Sequence, residues 1–568
     1  MASHLVSASL LVAFPAALLA QPALPLKHAA KPTTTAISAA DLMTRLYIFA
    51  DDSMQGRETG TVGHLKSTAY IASELKRLGV QPGGDEGSYF QDVPMIRRSF
   101  DPTSTITVGS TTLKGGTDFI ATTRGAIPSL DGAGVVFGGT AGDTTSFPSR
   151  DQIRGKIVVL KPAPGGGGFA GRGGGGGGAG RGQAALRALS DAVAIATVTD
   201  NLSPDVVRSA THPREGDVML KRTDATPGGQ LSLTITGSAA EALLGTPIDA
   251  ATAGQAGKTV TASVRFKDDP APARNVVAII RGSDPKLRGQ FVALGAHNDH
   301  VGFATQAVDH DSLHAYNAAR FAIRGMVPRG VQPTAEQDAA VAAIKLNLDS
   351  LRAARPTRLD SIRNGADDDG SGSVMLLELA EAFQKSAVKP KRSLVFVWHV
   401  GEEKGLLGSR WYSDHPSVAR DSIVAQLNMD MIGRGEARDL PVGSPSYLEL
   451  VGSRRLSTEL GDMVESVSKA QSMPFTFDYQ YDANGHPENI YCRSDHYNYA
   501  RWGIPVVFFT TGLHGDYHQV TDEPQYIDYP HMARIGQLVH EVAVKVANLD
   551  HRIVVDKEKP DPNGACRQ

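Results

Sequence analysis

The sequence predicts an α/β protein: a mixed, mostly parallel sheet covered by helices on both faces, with an inserted β-rich domain. Three observations carry this expectation. From Arg274 onward, the apolar runs NVVAII, FVALGAH, LVFVWHV, IVAQLNMD and IPVVFFT alternate with segments of helical period. These runs are continuously apolar, as a sheet buried on both faces requires. Between residues 101 and 269 the texture changes to short β-like runs, AGVVF (133–137), KIVVL (156–160) and QLSLTI (230–235).

At 568 residues the chain is long enough for two or more domains. Its 57 basic and 60 acidic residues give a net charge of −3, and no basic stripe with interleaved aromatics marks a nucleic-acid partner. The N-terminal MASHLVSASLLVAFPAALLAQPALP reads as a secretory signal at 1–20, with an apolar core at 5–19 and small residues at 16–20. The expected location is secreted or periplasmic. Pro15 and the short apolar length argue against a spanning helix there, and no later run approaches the roughly 18 apolar residues a membrane span needs. A linker follows at 21–37.

Residues 66–78 read as a helix, with Ile71, Leu75 and Leu78 on one face and Gly79 as its C-cap. The glycine tract at 165–182 has almost no side chains to bury and lacks the Lys-Ser/Thr pair of a phosphate loop, so a surface loop is expected. Leu376, Leu379, Ala380 and Phe383 fall at helical spacing, as do Ile535, Leu538, Val539, Val542 and Val546. Residues 304–363 interrupt the α/β rhythm. There Thr334 and Gln337 form a capping box, and Val341, Ile344, Leu348 and Leu351 make an amphipathic stripe, so a helical insertion is expected. Cys492 and Cys566 are the only cysteines. They could pair, which spacing alone leaves open, and they are too few for a cysteine-rich zinc site.

Polar residues follow each apolar run. FVALGA leads to His297, Asn298, Asp299 and His300; LVFVWHVG to Glu402 and Glu403; IVAQLNM to Asp430; VVFFTTG to His514, Asp516, Tyr517 and His518. Asp367, Asp368 and Asp369 precede the helix that begins near Val374. In open α/β sheets ligands bind outside the carboxyl ends of the strands, so these groups converge on one crevice. So many carboxylates would repel one another unless divalent cations sat among them. His with Asp/Glu suits zinc at about 2.0–2.2 Å. Two such ions about 3.5–4 Å apart can serve hydrolysis. The aspartate triplet lacks the late glutamate of an EF-hand.

LGAHNDHVG, NGADDDGSG, GEEKGLLGS, LNMDMIG, SDHYNYARWGIPVVFF and YHQVTDEPQYID, with DDSMQGRETGT and NVVAIIRGSDP upstream, occur in one order along the chain. In that order they resemble the M28 family of zinc metallopeptidases. The resemblance implies the zinc exopeptidase fold, with a peptidase domain at 38–120 and 270–550 and a tail at 551–568. It also implies a protease-associated-like domain at 121–269 and two Zn2+ per chain. His297 and Asp430 would hold one ion, Glu403 and His518 the other, and Asp368 both. Glu402 would be the general base, Asp299 would orient His297, and Tyr517 would stabilise the oxyanion. A cis peptide bond at Asp368–Asp369 is implied as well.

His514 competes with His518 as the last ligand, with Tyr517 before and Thr521-Asp522 after favouring His518. His300, His310 and His314 could also reach the metals. Ser494, Asp495 and His496 look like a nucleophile set but read better as support for the site. The implied function is a secreted aminopeptidase acting on peptide substrates, with residues 304–363 as a lid or wall limiting substrate length. The alternatives are a carboxypeptidase or dipeptidase for acidic peptides, a one-zinc glutaminyl cyclase, or a binding ectodomain without catalysis. The sequence does not specify the oligomeric state.

Overall fold

The computed structural model describes residues 24–123, 125–163, 188–200, 202–221, 229–325, 331–437, 439–440 and 442–568. The expected signal peptide, the first residues of the linker and the glycine tract lie outside the described residues.

The principal sheet has nine strands. Its order is Gln81–Pro82, Arg274–Ile280, Ser393–His399, Phe291–His297, Ile423–Met429, Val506–Thr510, Tyr447–Val451 and Thr476–Asp478, and Phe90–Asp92 also pairs with Arg274–Ile280. The four central strands, Ser393–His399 to Val506–Thr510, are parallel. Antiparallel pairs flank them on both sides. Four carboxyl ends therefore reach the same rim, which is where the polar residues singled out in the sequence emerge.

Within each central strand successive side chains serve opposite faces. Val292, Leu294 and Ala296 enter one core with Leu394, Phe396 and Trp398. Phe291 and Ala293 enter the other with Val395 and Val397. The first core is covered by helices Ala39–Phe49, Val62–Leu78, Gly372–Lys385, Thr458–Ala470 and Tyr529–Asn548. The second is covered by the shorter helices Leu407–Asp414 and His496–Ala500. The helix expected at 66–78 starts one turn earlier, at Val62, and ends as expected on Gly79 at φ +74°.

A six-stranded sheet in the order Ala256–Thr259, Gly134–Thr140, Ile157–Lys161, Ala194–Thr199, Leu231–Thr236 and Phe119–Thr122 carries its own core. Strands Met95–Phe100 and Phe266–Ala271 pair antiparallel where the chain leaves and re-enters the principal sheet.

In the segment 304–363, strands Phe303–Asp309 and Leu359–Ile362 pair at its base and helix His310–Arg324 follows the first strand. The Thr334/Gln337 capping box is present. The apolar stripe does not make one helix: Ala335–Ala342 and Leu348–Ala354 are separate, and neither buries a residue. Asn347 accounts for the break, because its side chain accepts from Ser350 N and caps a new helix. Cys492 and Cys566 form a disulfide, which ties the C-terminal segment to the loop before helix His496–Ala500.

Candidate metal centre

His297 is the last residue of its strand and is almost fully buried. Its Nε2 stands 3.2 Å from Asp368 Oδ1 and 3.6 Å from Asp430 Oδ1. The other oxygen of Asp368 faces the opposite way, with Oδ2 3.0 Å from His518 Nε2. Glu403 Oε2 lies 3.1 Å from the same nitrogen. Asp368 therefore divides its two oxygens between His297 with Asp430 and Glu403 with His518.

The neighbouring aspartates of the triplet are otherwise engaged. Asp369 accepts from the backbone N–H groups of His297 (2.9 Å), Gly372 (2.9 Å) and Met431 (3.3 Å), so its charge is consumed by the backbone. Asp367 accepts from Gly433 N and stands 3.2 Å from His514 Nε2. His514 is thus paired away from the centre, and His518 is the histidine facing Asp368 and Glu403. The loop that carries His518 also supplies Asp522, whose carboxylate accepts from the backbone N–H groups of both Asp367 and Asp368. The peptide bond Asp368–Asp369 is cis.

Several donor and acceptor atoms here are buried without a hydrogen-bond partner: His297 Nε2, His518 Nε2, Asp368 Oδ2 and Glu403 Oε1. Leaving polar atoms buried and unpaired is costly, and a shared divalent cation is the group that satisfies an N/O set of this kind. The donors therefore fit zinc. Electrostatics point the same way. Although burial opposes it, Glu403 and Asp368 raise the His518 imidazole to about 10. Against the same burial penalty, His300, His297 and His518 carry Asp368 well below the usual carboxylate range. The surrounding carboxylates draw positive charge to this point.

Glu402 sits beside these groups without facing either donor set. It lines a pocket with Asp368, Asp430 and Tyr517. Burial, reinforced by Glu403, Asp430 and Asp495, pushes its carboxyl well above the ordinary range, with His297 opposing. Tyr517 stacks on His518 with ring centroids 3.9 Å apart and accepts from Arg493 Nη2 at 3.4 Å. His297 Nδ1 pairs at 3.1 Å with the backbone carbonyl of Asp299, whose carboxylate stands 3.7 Å away. That carboxylate accepts from Thr59 Oγ1 at 2.7 Å and Glu402 N at 3.2 Å.

Ser494, Asp495 and His496 do not form a nucleophile relay. Ser494 donates to Asp430, Asp495 faces His399 at 3.3 Å, and His496 is buried behind the pocket. His314 lies 3.1 Å from Asp516 and stacks on Tyr526. His310 gathers with Asp360 and Glu523, where the Arg358 guanidinium meets its Nδ1. Sequence reasoning missed Arg57, which is fully buried and donates to the carbonyls of Asn364 and Gly365 just before the triplet. An arginine in a polar loop carries no local signal of that destination. It also gave little weight to His300, which faces Glu403 at 3.0 Å.

A sheet whose parallel strand ends assemble buried carboxylates and imidazoles around a cavity is the frame of a metal-dependent hydrolase. Residues 332–543 match the model of Peptidase family M28. His297 lies upstream of the matched segment. Among curated relatives, leupeptin-inactivating enzyme 1 of Streptomyces exfoliatus is 41% identical over 80 residues, 14% of this chain and 18% of that protein. Leucine aminopeptidase 1 of Paracoccidioides brasiliensis (strain Pb18) is 28% identical over 238 residues, 40% of this chain and 56% of that one. These alignments thus span at most about half of the relatives' own length. An aminopeptidase from Aneurinibacillus sp. strain AM-1 superposes with a TM-score of 0.46 at 18% identity, covering 92% of this chain and 97% of that one.

Proposed function

We propose that this chain is a secreted two-zinc aminopeptidase that removes N-terminal residues from peptides. The observation that carries the reading is the division of Asp368, one oxygen 3.2 Å from His297 and the other 3.0 Å from His518. His297, Asp368 and Asp430 would hold one ion, and Asp368, Glu403 and His518 the other. Bound zinc supplies Lewis acidity and makes water a usable nucleophile near neutral pH. Glu402, free of both donor sets, takes the proton of the attacking water and returns it to the leaving amine. Burial raises Glu402's proton affinity, which suits a group that must hold that proton between the two steps. Tyr517, kept protonated chiefly by burial, donates to the oxyanion.

The cavity wall of Met431, Ile490, Phe508 and Leu513 suits an apolar N-terminal side chain. Several curated relatives are named leucine aminopeptidases, which agrees with such a pocket. Export rests on the N-terminal sequence. The Cys492–Cys566 disulfide supports it, since such bonds persist in oxidising compartments. No helix among the described residues is long and apolar enough to cross a membrane.

The test is zinc stoichiometry together with a panel of aminoacyl-anilides, with Glu402→Gln as the control. Two zinc ions per chain, preference for leucyl over aspartyl substrates, and a rate loss of at least about 100-fold in the zinc-loaded variant are expected. One zinc per chain with glutaminyl cyclisation, or a variant of near wild-type rate, overturns the reading.

A further inference from the structure

The second donor set contains an imidazole that neither the family resemblance nor the two-zinc reading uses. His300, directly after Asp299, is fully buried. Its Nδ1 stands 3.0 Å from Glu403 Oε1 and 3.6 Å from Asp368 Oδ2. His518 Nε2 stands 3.1 Å from Glu403 Oε2 and 3.0 Å from Asp368 Oδ2. His300, Asp368, Glu403 and His518 each offer one ligand atom, and these atoms lie within 4.8 Å of one another. Donors about 2.0–2.1 Å from a tetrahedral zinc are about 3.3–3.4 Å apart, and the four imidazole–carboxylate separations here, 3.0–3.6 Å, bracket that value.

Orientation separates ligation from simple hydrogen bonding. Despite its 3.0 Å approach, His300 Nδ1 is not aligned to donate to Glu403, and both ring nitrogens are buried without a partner. His297 Nε2 and His518 Nε2 share that condition. The ring is also held in place. A Cβ at Gly365 would stand 2.5 Å from His300 Cγ, so glycine there is what lets the imidazole fit, and His300 N donates to Arg57 O at 3.3 Å.

We propose that His300 is a fourth protein donor to the ion held by Asp368, Glu403 and His518. The inference rests on the two-zinc reading and adds an asymmetry to it. This second position is closed by protein side chains, as structural zinc sites are, whereas His297, Asp368 and Asp430 leave their ion an open position. The cavity agrees: Asp368, Asp430 and Glu402 line it, while Glu403 and His300 do not. His518, a third exposed, forms the outer edge of the closed set.

The experiment is metal-ion competition with a chelator on wild type, His300→Ala and His300→Gln, with the structure of the zinc-loaded wild type. Wild type should bind two ions, with His300 Nδ1 about 2.0–2.1 Å from one of them. Both variants should bind that ion more than about 100-fold more weakly, above the range set by outer hydrogen-bonding partners, with little change at the other. Two bound ions with His300 beyond about 3 Å overturn this inference alone. So does wild-type affinity in the glutamine variant, which keeps an N–H for Glu403. A wild-type protein that takes up fewer than two ions overturns the two-zinc reading and this inference with it.

Discussion

Ser494 Oγ donates to Asp430 Oδ2 at 2.7 Å, while Asp430 Oδ1 faces His297 Nε2 at 3.6 Å. The serine is itself fixed, because Asn428 Nδ2 donates to its oxygen at 3.0 Å. Ser494 therefore turns one carboxylate oxygen away from the centre and leaves the other for a metal. Ser494→Ala should weaken zinc at that position by about 10–100-fold. Chelator competition would register the loss, with the second ion unaffected. Equal weakening of both ions would show that the serine only packs.

Chelation should destabilise the principal sheet more than the β-rich unit. The donors join separate strands and loops, whereas the six-stranded sheet has its own core. An ion present at 100 times its dissociation constant contributes about 2.7 kcal/mol. Calorimetry with and without chelator should show one transition moving down in temperature and another staying. Two transitions moving together would contradict it.

Asp516 controls the loop carrying His518. It accepts from Arg434 Nη2 (2.6 Å), Thr521 Oγ1 (2.6 Å) and Asn317 Nδ2 (3.3 Å), so helix His310–Arg324 of the insertion braces that loop. Against the burial penalty, His314, Arg434 and His514 hold its carboxyl far below the usual range. A depressed carboxylate contributes stability that is present above its unfolded value, about 3.9, and is lost as pH falls through its folded value. Asp516→Asn should therefore cost about 2 kcal/mol at neutral pH, by removing Arg434's nearer carboxylate and leaving it only Asp439 at 3.7 Å and the Tyr526 carbonyl. The difference should narrow as the pH is taken below about 4. Denaturant titrations across pH would read this, and a constant difference would exclude it.

The C-terminal segment supports the cavity. Gln568 Nε2 donates to Tyr481 O and Ala483 O, and its Oε1 accepts from Tyr491 N, beside the Cys492–Cys566 bond. The bond closes a separation of 74 residues, worth about 4 kcal/mol in the chain-entropy account. Cys566→Ser should lower the thermal midpoint and raise KM more than it lowers kcat, since Tyr481 and Ile490 line the cavity. An unchanged KM would show that the tail is not needed there.

Much of this site is legible in the sequence because it depends on local rules. An apolar run that ends in His or Glu places that residue at a strand terminus, and parallel order sends the termini to one rim. His297, Glu402, Glu403 and Asp430 follow from that. Orientation does not. Asp367, Asp368 and Asp369 are chemically alike in sequence, and only backbone N–H groups from distant segments consume Asp369 and leave Asp368 free. His514 and His518 are likewise distinguished by which carboxylate each meets.

The sequence by itself determined the α/β alternation, the strand-end placement of the polar residues and the chemistry they share, because periodicity and donor type are properties of neighbours along the chain. Tertiary structure alone decided the pairing of Cys492 with Cys566, the bracing of the His518 loop by helix His310–Arg324, and the approach of His300 to Glu403 and Asp368. Each of these joins segments far apart in sequence. Their proximity is set by how the sheet and its loops close in space, which no local spacing encodes.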